Sequence, residues 1–185
     1  LGLIGPSGCG KTTTVRLLTG ILKPTKGRAI VLGSDPRDFS KTSRVKIGYM
    51  PQMTVLYPTL TVWENLRFSG SIYGVNPFEK QRLVEVLKFV ELEEHSSKKV
   101  RDLSGGMQRR LSLAASIIHE PSLLFLDEPT GGVDPVLRRK FWDHFEALRD
   151  QEKTLFVTTQ YVGEAAYCDL VMVMKEGSIV VIDTP

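Results

Sequence analysis

The sequence predicts an α/β fold: a mainly parallel sheet carrying a phosphate-binding loop, interrupted by a helical insert and closed by a C-terminal β-hairpin. Three observations predict it. The short apolar run Leu1-Gly2-Leu3-Ile4 leads straight into Gly5-Pro6-Ser7-Gly8-Cys9-Gly10-Lys11-Thr12, which reads G-x-x-x-x-G-K-[ST] and opens a helix. A second apolar run, Leu123-Leu124-Phe125-Leu126, ends in the carboxylates Asp127 and Glu128. Between them, residues 53–120 carry helical texture, whereas strand-length runs dominate on either side.

Composition bounds the function. A chain of 185 residues with 42% hydrophobic and 24% charged residues suits one globular domain with a real core. A net charge of +3 is too small to argue for nucleic acid, and no such partner is expected. No apolar run approaches the ~20 residues of a membrane span, and no signal-peptide pattern is visible. Two cysteines, Cys9 and Cys168, are too few for a disulfide framework and point to a reducing compartment. The chain begins inside the strand that feeds the glycine loop and stops at Asp183-Thr184-Pro185, so the expectation is a piece of a larger domain.

The elements follow in order. The first helix is expected from Lys11 to about Leu22, broken at Lys23-Pro24. Residues 28–32 read as a strand ending at Gly33, residues 34–43 as a polar loop, and residues 45–50 as a strand closed by Pro51. Thr61 with Glu64 fits a capping box for a helix over residues 61–73 carrying Trp63, Leu66, Phe68 and Ile72. Asn76-Pro77 reads as an N-cap and first turn for a helix burying Leu83, Val86, Leu87 and Val90. The charged stretch at residues 91–94 and Lys98-Lys99 reads as a solvated edge. Ser104 can cap a helix facing Met107, Leu111, Ala114 or Ala115, and Ile118 inward until Pro121 ends it. Residues 123–126 are a buried strand, and residues 135–150 an amphipathic helix with Leu137, Phe141, Phe145 and Leu148 on one stripe. Strands are expected at 154–158 and 170–174, a short helix at 163–167, and a hairpin through Glu176-Gly177 into 178–182. The layout is a core of residues 1–52 and 121–185, interrupted by residues 53–120, in one domain spanning 1–185.

The loop at residues 5–12 carries its own chemistry. Its glycines allow backbone conformations that let successive N–H groups turn on a phosphate, and the helix N-terminus faces the same anion. Lys11 would reach the β- and γ-phosphates, and the Thr12 hydroxyl would ligate Mg²⁺. Cys9 is a small filler or a redox group. Asp127 and Glu128 stand at the C-terminal edge of a strand, where open α/β sheets bind ligands. Asp127 would hold the Mg²⁺ shell, and Glu128 would act as general base toward water; in isolation the pair could be a strand-end cap. Leu103-Ser104-Gly105-Gly106-Met107-Gln108 is a second phosphate cradle or, read alone, a capped helix.

Taken together, these elements resemble the nucleotide-binding domain of the ABC transporter family over nearly the whole chain. The resemblance rests on residues 5–12, Gln52 in Tyr49-Met50-Pro51-Gln52, the signature at residues 103–108, Asp127-Glu128, and Asp134 in Gly131-Gly132-Val133-Asp134. It implies a P-loop NTPase core whose nucleotide is ATP, held with Mg²⁺ by Gly5, Pro6, Ser7, Gly8, Cys9, Gly10, Lys11, Thr12 and Thr13. It also implies a head-to-tail dimer with a second ABC ATPase domain, in which Ser104, Gly105 and Gly106 of one copy cover the ATP of the other. Gln52 would contact Mg²⁺ or the attacking water and link ATP state to the helical insert, which would meet a transmembrane permease domain. Asp134 would cross the dimer interface. The implied location is the cytoplasmic face of a membrane, and residues 57–66 with Gly106-Met107-Gln108-Arg109-Arg110 resemble exporters of drugs or lipids more than importers.

The chain departs from the family pattern in two places. Gln160, in Thr158-Thr159-Gln160-Tyr161, occupies the family's switch-histidine position. A neutral amide can donate a hydrogen bond to a γ-phosphate oxygen but cannot carry charge or relay a proton, which implies slowed hydrolysis. His95, His119 and His144 are expected to be structural. The family's upstream strand with its adenine-stacking aromatic residue does not appear, so no residue is assigned to base recognition. Two other classes stand beside the transporter motor. Repair-type ABC ATPases carry a long coiled coil between loop and signature, whereas Lys11 and Ser104 are 93 positions apart without sustained heptads. A tandem ABC ATPase of translation remains open, as does a degenerate domain that binds ATP with little hydrolysis, which Gln160 favours and Glu128 opposes.

Overall fold

The computed structural model describes residues 1–76 and 78–185. Its centre is a six-stranded sheet built from β1 (Gly2–Ile4), β2 (Ile47–Met50), β3 (Leu123–Asp127), β4 (Thr154–Thr159), β5 (Val171–Lys175) and β6 (Ser178–Asp183), in the order β2-β3-β4-β1-β5-β6. Every pairing is parallel except the β5–β6 hairpin. Parallel strands are covered on both faces, so they are apolar along their length, and β3 alternates between the two layers. Phe125 packs with Val15 and Ile47 on one face, whereas Leu124 and Leu126 join Phe141 and Phe145 on the other.

The described residues form six α-helices: α1 (Lys11–Leu18), α2 (Lys41–Arg44), α3 (Val62–Ile72), α4 (Lys80–Phe89), α5 (Gly105–Ile117) and α6 (Pro135–Asp150). Between β2 and β3 the chain makes α3, α4 and α5, and their apolar faces share one core with the sheet through Leu66, Leu83, Leu87, Leu111 and Leu124. The capping box of α3 forms in full: Glu64 N–H donates to the Thr61 hydroxyl at 3.1 Å, and Thr61 N–H donates to the Glu64 carboxylate at 2.8 Å. Leu83, Val86, Leu87 and Val90 are buried, and so are Leu111, Ala114 and Ile118. Helix α5 lies close on β2 at Gly48, where an added Cβ would stand 2.3 Å from the Ser116 carbonyl oxygen.

Several expectations are corrected. Residues 28–32 are not a strand. Val31 and Ser34 exchange two backbone hydrogen bonds around Leu32 and Gly33, both at positive φ, so the segment closes on itself in a tight turn instead of joining the sheet. The loop at residues 34–43 contains a 3₁₀ turn at Pro36–Asp38 and the start of α2, capped by Ser40. The first helix stops at Leu18, four residues early, with Gly20 at positive φ behind it. Asn76 does not cap α4, whose N-cap is Glu79; its side chain instead accepts from Phe78 N–H at 3.0 Å. Pro77, expected in the first turn, lies outside the described residues. The helix at residues 61–73 forms as expected, and of the apolar residues it carries, Phe68 and Ile72 are exposed. The short helix expected at 163–167 is a 3₁₀ helix, Val162–Tyr167.

Candidate functional site

The sheet order brings the site together. β4 lies between β3 and β1, and the register sets Ile4 beside Thr159 and Asp127 beside Thr158. The loop that leaves β1 and the acids that end β3 therefore share one sheet edge, one strand apart. Gly10 is the N-cap of α1 at φ 112°, a conformation that favours glycine, and no side chain caps this helix. Helices α3, α5 and α6 are each capped by a side chain, from Thr61, Ser104 and Asp134. The N–H groups opening α1 are thus left for an anion.

Lys11 is buried, 4% exposed, and its ammonium donates to the carbonyls of Gly5 at 2.8 Å and Pro6 at 3.1 Å while pairing with Glu128 Oε1 at 3.1 Å. Thr12 Oγ1 donates to Asp127 Oδ1 at 3.2 Å. Thr158, which sequence reading missed, donates its hydroxyl to the same oxygen at 2.7 Å and accepts from Glu128 N–H at 2.9 Å. Gln52 reaches the same group, its amide nitrogen 3.1 Å from Glu128 Oε2. Lys11, Thr12, Asp127, Glu128 and Gln52 are therefore one connected cluster. Glu128 holds φ at 46°, a left-handed conformation that costs a non-glycine residue ~1 kcal/mol and recurs at functional sites.

Asp127 tests the fit of a cation. It is fully buried, and among the described residues its Oδ2 has no hydrogen-bond partner. An orphaned carboxylate oxygen beside a threonine hydroxyl suits a hard divalent cation such as Mg²⁺, which keeps oxygen ligands. Asp127 and Thr12 are the residues that would hold it, with the Gln52 side chain within reach of the same cluster through Glu128.

Arg109 is the second residue that sequence reading missed. An arginine in the basic pair Arg109-Arg110 reads as a solvated face, yet Arg109 is 6% exposed. The available signal is the stripe of Arg109, Ser112 and Ser116 at helical spacing, polar and all buried. Its guanidinium donates to the carbonyls of Pro129 at 2.9 Å, Pro51 at 3.1 Å, Gln52 at 2.6 Å and Asp127 at 3.4 Å, and also to that of Glu128. Burial lowers its pKa from the ordinary arginine value, and the charges of Asp127 and Glu128 act the other way.

The remaining predicted residues fall elsewhere. Ser104 caps α5, its hydroxyl accepting from Met107 N–H at 3.3 Å, and Ser104 and Gly105 are exposed. Asp134 is exposed and caps α6, accepting from the N–H groups of Val136 and Leu137, both at 3.0 Å. Gly105, Gly106 and Asp134 line a cavity of about 330 Å³ with Gln52 and Arg109; residues 5–13 do not line it. Gln160 is exposed just past the end of β4, and among the described residues no hydrogen bond ties it to the cluster. Ser7, Gly8 and Thr13 are exposed along the loop, and Cys9 is buried beneath it. His119 donates its Nε2–H to the Ile47 carbonyl, 3.0 Å away, and stacks on Tyr73, which is a structural placement.

The geometry agrees with comparison to known proteins. The family model described as ABC transporter matches residues 1–131. The probable multidrug ABC transporter ATP-binding protein YbhF of Escherichia coli (strain K12) is 41% identical over 185 residues, 100% of this chain and 32% of that protein. The Nod factor export ATP-binding protein I of Cupriavidus metallidurans is 39% identical over 178 residues, 95% of this chain and 59% of that one. The linearmycin resistance ATP-binding protein LnrL of Bacillus subtilis (strain 168) is 38% identical over 185 residues, 99% and 60% of the two chains. The chain thus spans between 32% and 60% of the length of these relatives. Among solved structures, a dimeric bacterial ABC transporter cassette superposes with a TM-score of 0.90 at 29% identity, covering 99% of this chain and 84% of that one. A dimeric ATP-binding cassette in a post-hydrolysis state, bound to ADP and Pi, gives 0.89 at 28% identity, with the same coverages of 99% and 84%. The chain belongs to the ABC transporter family.

Proposed function

We propose that this chain is the Mg²⁺-dependent ATP-hydrolysing motor of a membrane transporter, working as a head-to-tail dimer to drive export. The observation that carries the reading is the convergence of Lys11, Thr12, Asp127, Glu128 and Gln52 at one sheet edge, with α1 left uncapped behind the glycine loop. Backbone N–H groups of residues 5–13 bind the β- and γ-phosphates of ATP. The Lys11 ammonium exchanges its loop carbonyls and Glu128 for phosphate oxygens. Mg²⁺, held by Thr12 and Asp127 with Gln52 nearby, would neutralise charge on the phosphate oxygens. The Glu128 carboxylate takes the proton of the attacking water, while Gln52 and the Thr158 hydroxyl, which accepts from Glu128 N–H, keep it in place. Gln160 donates a hydrogen bond to a γ-phosphate oxygen without adding charge, which slows turnover relative to a histidine.

Ser104, Gly105 and Gly106 cover the ATP bound by a second copy or a related domain, and Asp134 lies at that interface. Support comes from the placement of Gly105, Gly106 and Asp134 around a cavity that the phosphate loop does not line, and from the dimeric cassettes among the structural neighbours. ATP bound between two copies has higher affinity for the closed pair than for the open one, so hydrolysis parts them. Residues 53–120 form the signature-bearing lobe, and residues 1–52 and 121–185 the catalytic core. The permease domain docks on that lobe at the cytoplasmic face of the membrane. Met53, Val55, Phe68 and Ile72 are exposed apolar side chains there, and Ile72 lines a groove of about 700 Å³ with Phe39, Ile47, Tyr49 and Tyr73. Export is the direction carried by the names of the relatives, which refer to multidrug transport, Nod factor export and linearmycin resistance.

Lys11→Ala in the complete protein tests the reading. Steady-state Mg-ATPase is expected to fall at least about 100-fold, the scale of losing one preorganised charge at the reacting phosphate. Turnover at the wild-type rate would reject it.

A further inference from the structure

Arg109 stands on the second turn of α5, in the helix that begins with the signature glycines, and its side chain is buried. Its side chain offers five N–H donors in a fixed planar fork. Five backbone carbonyls receive them: Nε meets Pro129, Nη1 meets Pro51 and Gln52, and Nη2 meets Asp127 and Glu128. Among the described residues no carboxylate lies within ion-pairing distance of Arg109, so its buried charge is satisfied by carbonyl dipoles alone. These carbonyls come from two segments: the Gln52 segment after β2, and the acids ending β3 together with the proline that follows them.

We propose that Arg109 is a positioning residue for hydrolysis: it fixes the backbone under Glu128 and Gln52 and so sets where their side chains meet the attacking water. The proposal rests on the reading of Glu128 as base and Gln52 as its partner. Three features of the geometry support it. Glu128 is held at φ 46°, so its peptide needs outside restraint, and Arg109 binds the carbonyl of that same residue. Gln52 and Glu128 also touch through their side chains at 3.1 Å, so one guanidinium constrains both ends of a catalytic contact. Finally, α5 starts at Gly105, so motion of the signature end is transmitted along a rigid helix to the base of the same chain.

The test is made in the complete transporter with Arg109→Lys, which keeps the charge but offers three donors to five carbonyls and no planar fork. Turnover is counted per ATP-binding molecule. The expected result is a kcat roughly 10- to 100-fold lower, the scale of a displacement of about 1 Å, with Kd for ATP within about twofold of wild type. The loss is also expected to be non-additive with Gln52→Ala, because both changes act on one contact. If Arg109→Lys does not fold, Arg109→Gln replaces it, carrying neutral donors and no buried charge. Unchanged kcat, a loss shared equally by ATP binding, full additivity with Gln52→Ala, or failure of both variants to fold would each overturn the proposal. Glu128→Gln, run alongside, separates the two readings. If it keeps wild-type turnover, the base assignment itself has failed; if it is inactive while Arg109→Lys is normal, the Arg109 proposal alone has failed.

Discussion

The C-terminal edge of the sheet and the face that α3 and α4 present to the core are held together by opposite means. The helical face is apolar: Leu66, Leu83, Leu87 and Val90 are all at or near zero exposure. The sheet edge buries a lysine, an aspartate and an arginine, leaves Asp127 Oδ2 without a partner among the described residues, and keeps Glu128 in a left-handed conformation. Burying a polar group without a partner is costly, whereas burying leucine stabilises by about 1.5–3 kcal/mol per side chain. The difference teaches where each region's residues are answerable: to stability on the helical face, to a charged ligand at the edge.

Substitutions sharpen that contrast. The largest effect belongs to Asp127→Asn. It is expected to lower Mg-ATPase at least about 100-fold, because it removes a charge at the proposed phosphate site. Thermal stability without nucleotide should hold or rise, since the buried unpaired oxygen no longer carries charge. A large drop in melting temperature would mean that Asp127 is part of the scaffold. Leu87→Ala reverses the pattern. Chemical denaturation should report a loss of about 2–5 kcal/mol, with kcat per folded molecule close to wild type. Equal losses of kcat and stability would dissolve the distinction between the two regions. Gln160→His is the smaller change and moves in the favourable direction. Turnover should rise roughly tenfold, the value of one charge-assisted hydrogen bond of ~1.5 kcal/mol in the transition state. If steady-state ATPase does not rise, Gln160 does not limit the rate.

Much of this contrast was legible in the sequence, for identifiable reasons. The glycine loop, the apolar strand ending in Asp127 and Glu128, and the capping box of Thr61 and Glu64 are local patterns. Each needs only residues within about eight positions to state its structure. The helix of residues 135–150 matched its element to the residue for the same reason: Asp134 caps it and Pro135 opens it. Apart from the ends of α1 and α4, what failed was mostly what depends on a distant partner. Residues 28–32 have strand composition, but a strand needs a neighbour, and the local Leu32-Gly33 turn decided the outcome. Thr158 ends a strand like any threonine until the register places it opposite Asp127. Arg109 looks solvated in sequence because its acceptors are backbone carbonyls, which composition does not reveal.

The central claim is that the edge cluster hydrolyses ATP with Glu128 as its base, between two copies of the domain. The most direct measurement is size-exclusion chromatography of the complete protein with Mg-ATP, comparing wild type with Glu128→Gln and assaying the retained nucleotide. The account predicts that Glu128→Gln accumulates a stable dimer holding ATP while wild type releases ADP and does not accumulate it. A Glu128→Gln protein that turns over ATP like wild type and traps no dimer would contradict it.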